Sequence, residues 1–166
     1  MLVLYLGALI FLSLTECILC NEVIDASRPY VGFPPFTGNT KDPLYHFSDC
    51  AVHESCLHSH PSCQQVLSIL DAYDASLPSR GGVCAVDGEL ITDPHNFLSF
   101  GLLTSDPQEE LYRFNFLTFN KMNISGWADR DEFVRIATDF LDAGKWVGTS
   151  GFNALAYMIL QVRKIY

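Results

Sequence analysis

Nine residues within one short stretch carry groups that could do chemistry: His46, Asp49, Cys50, His53, Glu54, Cys56, His58, His60 and Cys63. Imidazoles and thiolates at this density can complete a tetrahedral zinc site. Zinc motifs, however, arrive as two ligand pairs with short internal gaps, whereas here successive cysteines stand six and seven residues apart. The start of the chain weighs on the same choice. Met1 to Cys20 contains an apolar run, Val3 to Leu14, with the length of a signal-peptide core. In an oxidising compartment thiols become bridges more often than metal ligands. Cys50, Cys56, Cys63 and Cys84 are therefore expected to form disulfides, with no metal and no cofactor. The histidines then remain as surface groups that titrate between extracellular and endosomal pH.

An uncleaved anchor needs about 18–20 apolar residues, and Thr15, Glu16 and Cys17 end the run before that. The expectation is a leader over residues 1–20, with cleavage after Cys17, Cys20 or Ala26. A cut after Cys17 leaves Cys20 as an odd thiol able to link to another chain. The formal charge is −9, and the ten Lys and Arg residues are scattered singly. No basic stripe exists to neutralise phosphates, which argues against nucleic acid as a partner.

These residues must be positioned by something. Residues 21–47 carry Pro29, Pro34, Pro35 and Pro43 and predict an extended arm. Its aromatic residues, Tyr30, Phe33, Phe36, Tyr45 and Phe47, are too apolar for a solvated linker, so they pack on their own domain or on a partner. Residues 48–166 read as a single domain. Ser62 and Gln65 have the form of a capping box, and Val66, Leu67, Ile69, Leu70 and Tyr73 recur at helical spacing up to about Ser76. Val83 to Ile91 predicts a short strand pair around Asp87-Gly88. Asp93-Pro94 and Asp106-Pro107 each place a cap residue before a first-turn proline, predicting helices through Leu102 and Leu117. Phe133, Ile136, Ala137, Phe140 and Leu141 give the clearest helical period, opened by Asp129 and closed by Gly144. Phe152, Leu155, Ile159 and Val162 make a last amphipathic helix, with Arg163 and Lys164 at its end. The fold class is α+β: a small, mostly helical secreted domain with a short β-hairpin and an extended N-terminal arm, stabilised by disulfides.

No nucleophile elbow, His-Glu-x-x-His helix or phosphate-binding glycine loop occurs, and the paired acids fall at helix starts, where they complement the dipole. The chain does not read as an enzyme. Asn123-Ile124-Ser125 satisfies the N-glycosylation pattern in a predicted turn.

The stretch Asp93-Pro94-His95-Asn96-Phe97-Leu98-Ser99-Phe100-Gly101-Leu102-Leu103, followed by Asp106-Pro107-Gln108-Glu109-Glu110-Leu111-Tyr112-Arg113, resembles a segment of herpesvirus envelope glycoprotein L. In betaherpesvirus members an acid precedes Phe-Leu, a Leu-Leu pair follows, and a proline-containing helix start leads to a leucine and a basic residue. Two closely spaced cysteines, like Cys50 and Cys56, follow the leader there too. The resemblance implies a secreted, non-anchored glycoprotein subunit that forms a heterodimer with a membrane-anchored glycoprotein of the glycoprotein H type. Such a subunit supports virus entry and membrane fusion, and reaches the virion envelope or host cell surface only through its partner. On that reading Tyr30, Phe33, Phe36, Tyr45 and Phe47 are the docking surface and Cys20 an intermolecular thiol. The alternative from another class is a free helical effector, a cytokine-like or immune-modulating ligand.

Overall fold

The computed structural model describes residues 12–77, 82–149 and 151–164. It is a small α+β protein whose chain divides into two compact units: residues 1–36 with 44–70, and residues 37–43 with 71–166. Most of the apolar leader core, Val3 to Leu14, lies outside the described residues. No helix among the described residues is long and apolar enough to cross a membrane.

The first unit begins with a tight antiparallel turn. Glu16 bridges Val23, and backbone hydrogen bonds join Ser13 N–H to Ile24 O, Ile24 N–H to Thr15 O and Cys17 N–H to Glu22 O. The predicted arm is not a free extension. It contains β1 (Tyr30–Phe33), which pairs antiparallel with β2 (Cys50–His53) in the register Tyr30 to His53 and Phe33 to Cys50. Its aromatic residues pair with each other: Phe33 meets Phe36 and Phe47 edge-on at 6.5 and 5.8 Å, inside the geometry that aromatic quadrupoles favour. Phe33, Phe36 and Phe47 are buried with Ile24, Leu44, Val52 and Leu57. Of the two surfaces the arm's aromatic residues were expected to cover, these three side chains cover the chain's own core. Tyr30 and Tyr45 stay half-buried. β2 runs directly into the short helix α1 (Glu54–His58), and α2 (Cys63–Ala75) follows with Val66, Ile69 and Leu70 inward. The unit boundary falls inside α2, between Leu70 and Asp71.

The second unit is organised by an aromatic core. Phe100 stacks on Phe133 at 4.6 Å, while Phe114, Phe119 and Trp127 close around them. The helix with the clearest period is present as α3 (Arg130–Asp142), burying Phe133, Ile136, Ala137 and Phe140, and Gly144 ends it at φ +66°, the left-handed conformation glycine tolerates best. The last helix, α4 (Ala154–Arg163), is capped by the Asn153 side chain, which accepts from Ala156 N–H at 3.0 Å. Arg130 satisfies its far end, donating to Val162 O and Arg163 O at 2.7 and 3.0 Å.

Three predicted elements differ. The helices after Asp93 and Asp106 shrink to single 3-10 turns, Pro94–Asn96 and Glu110–Phe114. Phe97, Leu98 and Ser99 instead form β3, paired antiparallel with β4 (Thr118–Asn120). Asp93 caps its turn, accepting from His95 N–H at 2.9 Å, whereas Asp106 accepts from Gln108 N–H at 2.9 Å in a separate turn, and the 3-10 helix that follows is preceded by Glu109 with no side-chain cap. A cap starts a turn, but cross-strand pairing of Phe97 to Ser99 captures the residues that would have continued the first helix. The Val83 to Ile91 hairpin reduces to one bridge, Val83 to Leu90.

Residues 37–43 belong to the second unit through Asn39, which is 1% exposed. Its carbonyl accepts from Lys41 N–H and Val147 N–H, both at 3.1 Å, and its amide donates to Lys145 O at 3.0 Å. Asn39→Ala removes all three bonds of a buried side chain, so an unfolding loss of about 1–3 kcal/mol is expected. Both tryptophans, Trp127 and Trp146, lie in the same unit, and their fluorescence through a urea titration measures it.

Candidate metal centre

The side chains that the fold brings together are Cys17, Cys20, His53 and Cys56, all in the first unit. One ligand atom from each lies within 4.8 Å of every other. Two local structures position them. Cys17 and Cys20 bracket the turn at Ile18-Leu19, where Asn21 N–H returns to Cys17 O at 2.8 Å. Asn21 takes φ +59°, a conformation asparagine adopts more readily than most residues, and this folds the two sulfurs to one side. His53 ends β2 in extended conformation, and Cys56 sits one helical turn on in α1, so the strand-to-helix junction aims both side chains the same way.

One edge of the cluster has the spacing that a single ion requires. A tetrahedron with metal–sulfur bonds of about 2.3 Å and metal–nitrogen bonds of about 2.0–2.1 Å has sulfur–nitrogen edges of about 3.5–3.6 Å. Cys20 Sγ lies 3.5 Å from His53 Nδ1. His53 is fully buried, and its Nε2 has no hydrogen-bond partner. That nitrogen is not the one beside Cys20, so an ion held at Nδ1 leaves Nε2 without a partner.

The electrostatics prepare a thiolate. Burial pushes the Cys17 thiol up, but His53 N–H, 3.4 Å from its sulfur, acts with the N–H groups of Leu19 and Cys20 and with the Cys20 thiol to bring it down to about 6. Glu22 N–H draws Cys20 the other way, yet burial and the adjoining Cys17 and Cys56 sulfurs outweigh it and hold Cys20 up at about 11. Three sulfurs this close repel as anions. A divalent cation removes that repulsion and deprotonates all of them.

The remaining predicted site residues divide differently. All six cysteines are free thiols, and the expected bridges among Cys50, Cys56, Cys63 and Cys84 are not formed. Cys56 belongs to the metal cluster. Cys50 donates to Phe47 O at 3.3 Å, and burial, with the charges of Asp49 and Cys17, pushes its thiol up to about 12. Cys63 stands 4.0 Å from His58 Nδ1, and Cys84 is buried in the second unit. His46 and His60 pack on the Phe47 ring at 4.2 and 5.2 Å. Cys20 turns its sulfur toward His53 instead of offering it to another chain. Asn123 sits in a 3-10 turn, Lys121–Gly126, with its amide donating to the Asp87 carboxylate, the same nitrogen a glycan would occupy.

Cys17 is the site residue that sequence reasoning missed, and Cys20 was singled out as an intermolecular thiol and not as a metal ligand. Their signal was legible as Cys17-x-x-Cys20 followed by His53-x-x-Cys56, two short-gap pairs, but the preceding apolar run assigned the first pair to a leader. A surface depression beside α3 offers Glu109, Glu110, Arg135, Asp139 and Lys145. Those charges pair with one another, Lys145 to Glu109 at 2.7 Å and Arg135 to Asp139 and Glu110 at 3.3 and 3.4 Å.

No protein-family model, curated protein or solved structure matches the chain.

Proposed function

We propose that this chain is a non-catalytic metal-binding protein in which one zinc ion, held by Cys17, Cys20, His53 and Cys56, organises the first unit. The observation that carries the reading is the convergence of three sulfurs and one imidazole nitrogen within 4.8 Å. Soft thiolates with imidazole in tetrahedral array select zinc over magnesium or calcium, which take oxygen ligands. Four protein ligands close the coordination sphere, leaving no position for water or substrate, so the ion's work is structural. Cobalt(II) is the direct test. Titrated into the reduced, metal-free chain, it is expected to develop the visible bands of a tetrahedral thiolate site, saturating at one ion per chain and bleaching when zinc is added. Absence of those bands, or their persistence in Cys56→Ser, would overturn the assignment.

A second reading keeps the chain as a secreted binding subunit paired with a membrane-anchored glycoprotein. It is favoured by the exposed apolar side chains Val147, Phe152, Tyr157 and Leu160 on and before α4. The two readings divide at the N-terminus, because each cleavage point considered for a leader removes Cys17, and two of the three also remove Cys20. Intact mass of the product made in cells separates them: a chain that retains both cysteines and carries a metal supports the first, and one that begins after either cysteine supports the second.

A further inference from the structure

The metal ligands come from two pieces of chain, and one of them is loosely held by everything else. Residues 13–24 form their own antiparallel turn, closed by the Glu16 to Val23 bridge. Its link to β2, apart from the sulfurs, includes one long backbone hydrogen bond from Ile18 N–H to Ala51 O at 3.3 Å. Cys17 and Ile24 are buried, but Leu12, Leu14, Ile18 and Val23 face water, with Leu14 81% exposed. A segment that buries so few side chains opens at low cost. Four metal bonds, two to this segment and two to the β2–α1 junction, would be its principal anchor.

We propose that the metal is the latch that holds residues 13–24 on the first unit and so controls access of an endopeptidase to that segment. The inference rests on the zinc reading of the same four residues and adds to it a partner of stated chemistry, a protease that needs its substrate unfolded and extended. Leu19 lies between the ligands Cys17 and Cys20, so the peptide bond after it becomes accessible only when the turn leaves its place. Cleavage anywhere from Cys17 to Ala26 separates ligands from the rest of the site, and processing is therefore irreversible with respect to metal binding. Loaded and processed forms exclude each other.

If the ion binds only the closed form and opening is fast compared with cleavage, the cutting rate falls in proportion to one plus the ratio of free ion to its dissociation constant. The test is chymotrypsin digestion of the full reduced chain, with zinc buffered at a hundred times its dissociation constant or removed by chelator. Mass spectrometry reads the cut after Leu19, and a short unstructured peptide in the same tube calibrates the enzyme. Cleavage after Leu19 is expected to slow about 100-fold with zinc. Cys56→Ser, whose change lies outside the segment, should be cut at the chelated rate whatever the zinc level. Hydrogen exchange at the Cys17, Asn21 and Ile24 amides of the unaltered chain gives the same comparison without relying on the variant's folding. One ion bound with equal cutting and exchange rates in both conditions overturns the latch and leaves the zinc site standing. No ion bound overturns both.

Discussion

Replacing Cys17 by serine, or stripping the metal with a chelator, is expected to cost the first unit most of its stability. Structural zinc contributes on the order of 10–16 kcal/mol of apparent binding free energy in zinc-finger peptides at neutral pH. A natural domain of this size has only about 5–15 kcal/mol in all. The first unit has an apolar core of its own in Phe33, Phe47, Val52 and Leu57, so the loss need not be total. It must nonetheless be large, because removing the ion leaves sulfurs and a buried imidazole facing one another with no cation between them. Hydrogen exchange is the suitable measurement, since the first unit contains no tryptophan. The amides of β1 and β2 should lose several orders of magnitude of protection in Cys17→Ser. Protection equal to that of the unaltered chain would show that the four side chains meet for packing alone.

The second large effect belongs to the other unit. Phe133→Ala is expected to destabilise it by about 3–5 kcal/mol, the range for deleting a fully buried phenylalanine. The Phe133 side chain is completely excluded from solvent. It stacks on Phe100 at 4.6 Å with planes 24° apart and meets Phe114 and Trp127 at 5.3 and 5.6 Å. Truncation empties the centre of that cluster, and the rings around it are too rigid to fill the space. Urea unfolding followed through Trp127, which touches the deleted ring, should show the midpoint falling sharply. A loss below about 1 kcal/mol would mean that the cluster collapses without a cavity.

Much of this structure could be read from the sequence where one local signal agreed with one tertiary role. α3 is the plainest case, because Phe133, Ile136, Ala137 and Phe140 share a face and that face is buried. The regions after Asp93 and Asp106 were only half legible. The Asp93 cap forms as its residue type predicts and Asp106 only opens a turn, while Phe97 to Ser99 pair with Thr118 to Asn120, and strand partners that far apart leave no periodic trace. The metal centre was legible in one half. His53 and Cys56 stood among the residues that could do chemistry, whereas the apolar run before Cys17 and Cys20 assigned Cys17 to a leader and left Cys20 only as a thiol for another chain. Hydropathy reports how greasy a segment is, and says nothing of whether the turn that ends it folds back onto a strand thirty residues later. The arm was legible in part: proline-rich sequence suggested extension, which β1 shows, and of the two surfaces its aromatic residues could cover, the strand lies on the chain's own.

The interleaving of the two units has a consequence for how the protein is made. Asn39 reaches the ribosome's exit early, yet its hydrogen-bond partners Lys145 and Val147 are 106 and 108 residues downstream. At synthesis rates of about 5–20 residues per second, residues 37–43 wait roughly 5–20 s for them. A chain stalled before Lys145 therefore lacks the hydrogen-bond partners that bury Asn39 in the finished protein, and the second unit cannot close around residues 37–43 until its last helices are made.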